Sequence, residues 1–199
     1  MRMGWTARRA LFSLAALWGC ALTTAAFAEQ SAREGLQTRI KIGGQELSCR
    51  DFRGQTVRSI HMDDLGDVAH ARIVNRMPII TLNKRRLDTL PDKLQVFFFN
   101  HECAHHILGH VFYPTQTSEN EADCYAIKQG RRDGLLTRDD VVAFTPYIAV
   151  SRGSAFGHLP GPVRSQRLLA CFDDPSEENI VDPAGFTPPP PPILAEGLR

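Results

Sequence analysis

The chain is short of net charge, of long apolar runs and of internal repetition, and each shortage removes a class of protein. Its formal charge is only +1 over 199 residues, whereas a nucleic-acid binder usually carries a clear basic excess on one face. Outside the N-terminus no run of about 18 apolar residues occurs, so a polytopic membrane protein is excluded. No segment repeats, so no array architecture is expected. Disorder throughout is excluded as well, because 43% of the residues are hydrophobic. The length fits one domain with a tail.

Targeting and processing features lie at the two ends. Arg2, Arg8 and Arg9 precede an apolar stretch from Ala10 to Ala26, and Ala26-Phe27-Ala28 offers the small residues that a signal peptidase reads. Residues 1–28 therefore read as a signal peptide, and the mature chain as periplasmic or secreted, with no stable membrane insertion after cleavage. Leu17-Trp18-Gly19-Cys20 loosely resembles a lipoprotein box, although Trp18 is bulky for it. Loss of the three arginines leaves 20 basic against 22 acidic residues. It also leaves Cys49, Cys103, Cys124 and Cys171, an even number in a compartment where disulfides persist. Four cysteines allow three pairings, and the sequence does not choose among them. At the other end, Asp173 onward is acidic and then carries five consecutive prolines, Pro188 to Pro192. Residues 173–199 are expected to be a Pro-rich, disordered tail.

Between these ends, 29–172, the pattern predicts an α+β domain. Ile40-Lys41-Ile42, Gly43-Gly44 and Glu46-Leu47-Ser48-Cys49 read as a hairpin. Ser59 to Asp67 is polar, and Ala69 to Val74 is a second strand candidate. Met77 to Asn83 is the densest strand signal, and its Pro78 places it at a sheet edge or puts the Pro at the strand's start. A helix follows from Lys93 to about His110, apolar nearly all round, with Pro114 to stop it. A second is capped by Thr117 or Ser118 and ended by Gly130. A third, Leu135 to Tyr147, is interrupted by Pro146, and a last runs from Val163 to Phe172.

Four of the seven histidines fall between positions 101 and 110. Within them His101-Glu102-Cys103-Ala104-His105 places two imidazoles four apart, on one face of a helix, where they can share a metal ion. Glu102 lies about 100° around from His101, close enough to act on a water beside the ion as general base. Imidazoles suit zinc, and a catalytic site needs a third protein ligand. The metzincin arrangement fails, because the positions it needs hold Leu108 and Val111. His106 and His110 read as packed or hydrogen-bonded histidines, and Cys103, about 200° from His101, faces away from the ion.

His101-Glu102-x-x-His105 followed by Ser118-Glu119-Asn120-Glu121-Ala122-Asp123 resembles the gluzincins, zinc peptidases whose third ligand is a glutamate on a later helix. Within that clan the chain is most similar to the CAAX-protease, HtpX and BepA-like peptidases. Its short gap between the two helices resembles the compact ImmA-like proteins. The resemblance covers about residues 77–170. It implies a small zincin-like domain with a short sheet, whose edge strand packs on the His-Glu-x-x-His helix, and Glu119 as the third zinc ligand. Asp123 would then accept from the far nitrogen of a ligating histidine, His101 for preference, since it shares a helical face with Glu119. Glu121 stays an alternative ligand; it points elsewhere on a regular helix and fits a Ser118-x-x-Glu121 capping box. Cys124, beside Asp123, could brace that helix through a disulfide.

His158-Leu159-Pro160-Gly161-Pro162-Val163-Arg164 is similar to the His-Pro segment followed by Arg in the BepA-like group, with Leu159 inserted. By that resemblance His158 reaches the site, as donor to a developing oxyanion or as occupant of the open zinc position. Tyr147 and Tyr125 are weaker candidates for the donor. The reading is an exported zinc metallopeptidase acting on a peptide or protein, with Glu102 and His158 catalytic. The alternatives are a non-catalytic binding or regulatory module stapled by zinc, and a structural domain in which the histidines are incidental.

Overall fold

The structure, a computed structural model, describes residues 35–154 and 157–176. The expected signal peptide, Cys20 and the prolines of the tail lie outside the described residues. The chain divides after Gly35 into two units, and all the elements below belong to the second.

That unit is α+β. Strands β1 (Ile40–Ile42) and β2 (Gln45–Leu47) form the expected antiparallel hairpin. Gly43 at its turn has φ +52° and sits against the backbone of Asp92, where a Cβ would come within 2.1 Å of the carbonyl oxygen. Only glycine fits both constraints. Strands β3 (Cys49–Arg50), β4 (Thr56–His61), β5 (Ala69–Val74) and β6 (Met77–Leu82) form a second, mixed sheet in the order β3-β4-β6-β5. β4 and β6 run parallel; the other neighbours are antiparallel. The β5–β6 turn is Asn75-Arg76, both at positive φ, which matches the twist of a two-residue hairpin.

The sheet corrects one expectation. Met77–Leu82 is central, paired on both sides, and β5 is the edge strand. Pro78 is tolerated because pairing with β4 begins only at Ile79, so its missing N–H breaks no bond on that side. β4 lies partly in the stretch that reads as polar. It alternates exposed Arg58 with buried Val57 and Ser59, and a half-buried strand shows its apolar side only at every second residue.

Five helices complete the described unit: α1 (Lys84–Leu87), α2 (Asp92–Ile107), α3 (Ser118–Arg132), α4 (Arg138–Ala149) and α5 (Gly161–Asp173). Among the described residues no helix is long and apolar enough to cross a membrane. α2 lies between two apolar clusters. Val96, Phe99, Cys103 and Ala104 pack with Ile80 and Leu82 of β6. Leu94 and Phe97 pack with Ile127 of α3, Phe144 of α4 and Leu168 of α5. Burial on both sides explains why its apolar residues show no single stripe.

Several boundaries differ from those the sequence predicts. α2 ends at Ile107, and Gly109 at φ +76° turns the chain before Pro114 is reached. Gly130 lies inside α3 against the Leu136 side chain, and the helix ends ahead of Gly134 at φ +68°. The Ser118/Glu121 capping box does not form; Ser118 Oγ accepts from the Thr115 amide, and Glu121 accepts from the Thr117 hydroxyl. The box forms instead on α4, between Thr137 and Asp140. Of the segment expected as tail, residues 173–176 are described, and they pack on the unit. Asp173 pairs with Arg138 at 2.8 Å, and the buried Lys128 ammonium donates to Asp174 Oδ2 at 2.6 Å and to the Ser176 carbonyl at 2.8 Å.

The cysteines pair as Cys49–Cys103 and Cys124–Cys171, with Cα separations of 5.8 and 5.1 Å. The first ties β3 to α2 and the second α3 to α5. Closing a loop of 54 residues removes about 4 kcal/mol of unfolded-chain entropy on the usual polymer estimate. A Cys49→Ser/Cys103→Ser variant is therefore expected to melt on the order of 10 °C below the wild type. Non-reducing peptide mapping should recover these two linkages; any other pairing would contradict this fold.

Candidate metal centre

The centre is assembled by α2, α3 and the segment before α5. One turn of α2 separates His101 from His105, and both rings project toward the first turn of α3. Their Nε2 atoms are 3.1 Å apart. Glu119 Oε2 lies 3.2 Å from the first and 3.5 Å from the second. These three ligand atoms all lie within 4.8 Å of one another, so the group could hold one metal ion. Two imidazole nitrogens that face each other at this distance can share no more than one proton. Two lone-pair nitrogens and an anionic oxygen are a donor set that fits a divalent cation.

The surroundings supply further polar groups. Asp123, one turn after Glu119 and buried, places Oδ1 2.9 Å from His101 Nδ1. Arg164 of α5 grips the same carboxylate through two bonds of 2.8 and 2.7 Å. Arg164 closes the expected His158 segment, but nothing in its spacing assigned it a partner; only the packing of α5 on α3 brings it to Asp123. His158 also reaches the centre, its Nε2 2.7 Å from Glu119 Oε2 and its ring stacked 5.6 Å from that of His101. Ser154 Oγ holds the far His158 nitrogen at 2.9 Å.

Glu102 is buried on the β5 side of α2. Its Oε2 accepts the Ala71 amide at 2.6 Å, a donor that β5 has free because it is an edge strand. Glu102, His101, His105, Glu119 and His158 line one cavity of about 670 Å3, with exposed Tyr147 at its wall. Tyr125 lines a different cavity together with Cys103. Of the two carboxylates left open as ligands, Glu119 joins the imidazole pair, while Glu121 stands 3.0 Å from His110 Nε2. His106 is fully buried, with Nε2 3.1 Å from the Ile79 carbonyl.

Electrostatics among the protein groups follow from burial and pairing. Burial pushes the Glu102 carboxyl above its ordinary range, against the pull of His101 and the Ala71 N–H. Burial opposes charge on His101, but Asp123 and Glu119 outweigh it and raise the imidazole to about 9. Burial would raise Glu119, yet bonds from His101, His105 and His158 hold it far below the carboxylate range. His105 is lowered by burial, and His106 falls to about 4 for the same reason.

No family model, curated protein or solved structure matches this chain.

Asp123 gives a pH signature. Burial would raise its carboxyl, but His101 and Arg164 overcome that and lower it to about 2, below its ordinary 3.8. A depressed carboxyl contributes stability that is present above its unfolded pKa and lost as pH falls through the folded one. In chelator-treated protein, Asp123→Asn should melt well below the wild type at pH 7, since it leaves the Arg164 cation buried and unpaired, a loss of about 3–5 kcal/mol. The difference should shrink as pH falls from about 4 toward 2. A gap that stays constant over that range would mean the pair does not titrate as described.

Proposed function

We propose that the chain is an exported zinc metallopeptidase of the gluzincin kind, with the compact zincin-like arrangement that its motifs resemble. One observation carries this reading: His101, His105 and Glu119 converge within reach of a single ion, and Glu102 is buried beside them with its carboxylate oriented by an edge strand. A structural zinc site closes with four protein ligands, whereas these three leave a position open beside Glu102. The two disulfides support export, as they suit an oxidising compartment.

His101, His105 and Glu119 would hold the ion, which when bound supplies Lewis acidity toward a peptide carbonyl and eases deprotonation of water. Glu102, its carboxylate oriented by the Ala71 N–H, would take a proton from water in the cavity and pass it to the leaving amine, and the basicity that burial lends it would favour the first transfer. An extended peptide would pair with the part of the β5 edge that flanks Ala71, whose own amide is held by Glu102, and so run past that carboxylate. His158 donates to the oxygen that gains charge as the carbonyl is attacked; its Nε2 must leave Glu119 to do so. Asp123, gripped by Arg164, keeps the His101 ring turned so that Nε2 faces the ion.

Purified protein should carry about one zinc per chain. Glu119→Gln should lose the metal, whereas Glu121→Gln should retain it. Glu102→Gln should keep zinc but lose cleavage of an unfolded test protein by on the order of 100-fold or more. Zinc uptake with no cleavage by the wild type would favour a metal-stapled binding module, and no uptake would end the metal-centre reading.

A further inference from the structure

Asp123 backs one imidazole of the pair, and among the described residues no carboxylate stands directly behind the other. Behind His105 Nδ1, at 3.2 Å, is Nδ1 of His110. His110 in turn directs Nε2 to Glu121 Oε2 at 3.0 Å. This contact exists because α2 stops early. On a continued helix His110 would stand about 140° around from His105 and could not meet it. Gly109 at positive φ brings the ring back beside its neighbour instead.

The protons on this chain of atoms are constrained by donor and acceptor capacity. A carboxylate only accepts, so His110 Nε2 carries a proton toward Glu121. Two Nδ1 atoms 3.2 Å apart have room for one proton between them. If His110 is neutral its Nδ1 is bare, and the shared proton belongs to His105 Nδ1. His105 then has a bare Nε2, the atom that faces His101 and Glu119. The opposite assignment needs an imidazolium at His110, whose side chain is only 6% exposed, and would put a proton on His105 Nε2 where a cation must bind.

We propose that Glu121 and His110 form a positioning relay that fixes the tautomer and ring direction of His105, so that its Nε2 lone pair is presented to the metal. This rests on the metal-centre reading above and deepens it. The relay gives Glu121, the carboxylate that competes with Glu119 in the sequence, a task one residue removed from the ion. It also separates the two supports of the centre: a buried aspartate–arginine pair behind His101, and a histidine–glutamate pair behind His105.

Position 121 is the place to test it, because that side chain is 46% exposed and its other partner is the exposed Thr117 hydroxyl. Zinc-loaded full-length protein is mixed with excess chelator and the rate of zinc loss is measured. Glu121→Gln should behave within about 3-fold of the wild type, because its amide oxygen still accepts from His110. Glu121→Ala should release zinc about 10-fold faster and Glu121→Lys up to about 100-fold faster, the usual span for partners behind a metal-binding histidine. Nitrogen-15 spectra of the metal-free protein should show His105 protonated at Nδ1 and His110 at Nε2. In Glu121→Lys, which offers only donors, both assignments should invert. Equal acceleration in Glu121→Gln and Glu121→Ala would assign the effect to lost charge and overturn the relay. Native His105 protonated at Nε2 would overturn it too. Failure of the wild type to take up zinc would count against the metal centre itself, and the spectra of the same protein would still decide the proton positions.

Discussion

A helix that carries three histidines and a glutamate into a protein interior, with a fourth histidine in the turn that ends it, needs polar partners for those side chains. α2 and the turn that ends it draw such partners from several directions: a strand carbonyl for His106 Nε2, a strand amide for Glu102, the Asp123 carboxylate 2.9 Å from His101 and a histidine for His105. The far His106 nitrogen and the Asn100 amide nitrogen stay unpaired among the described residues. Each partner comes from a different stretch of chain. The order of the elements around α2 is therefore dictated by polar pairing as much as by apolar packing, and displacing one neighbour exposes the need of a side chain it served.

Legibility in the sequence followed the range of the interaction. The β1–β2 hairpin, the Ala69–Val74 strand and the existence of four of the five helices were readable, because turn residues and local periodicity specify them within a few positions, whereas the single turn of α1 carries no such period. The His101/His105 pair was readable for the same reason, since a four-residue spacing on a helix determines which side chains share a face. The position of β6 was not. A strand's place in a sheet depends on partners distant in sequence, and the proline that suggests an edge is accommodated by a neighbour that starts one residue later. Helix ends also misled, because Gly109 closes α2 before Pro114 can.

Within the centre, the positions of Glu119 and Asp123 matched their helical spacing, whereas Arg164 and the contact between His110 and Glu121 needed the tertiary structure. Arg164 lies 41 residues from Asp123, and His110 reaches His105 only through a backbone turn that no periodic pattern includes. Cysteine pairing was equally beyond reach. The two bridges bind the very helices that present the ligands, one beside His105 on α2 and the other adjoining Asp123 on α3. Oxidation and assembly of the centre thus draw on the same two helices.

The contact of Lys128 with Asp174 and Ser176 has a practical side. Nine residues of α3 separate Glu119 from Lys128, two and a half turns, which sets them on opposite flanks of that helix. The polypeptide is therefore anchored at Ser176 behind α3, away from the flank that faces the cleft. Cutting the chain ahead of Asp174 would take both acceptor residues from the buried Lys128 ammonium and loosen α3 on the flank opposite the cleft.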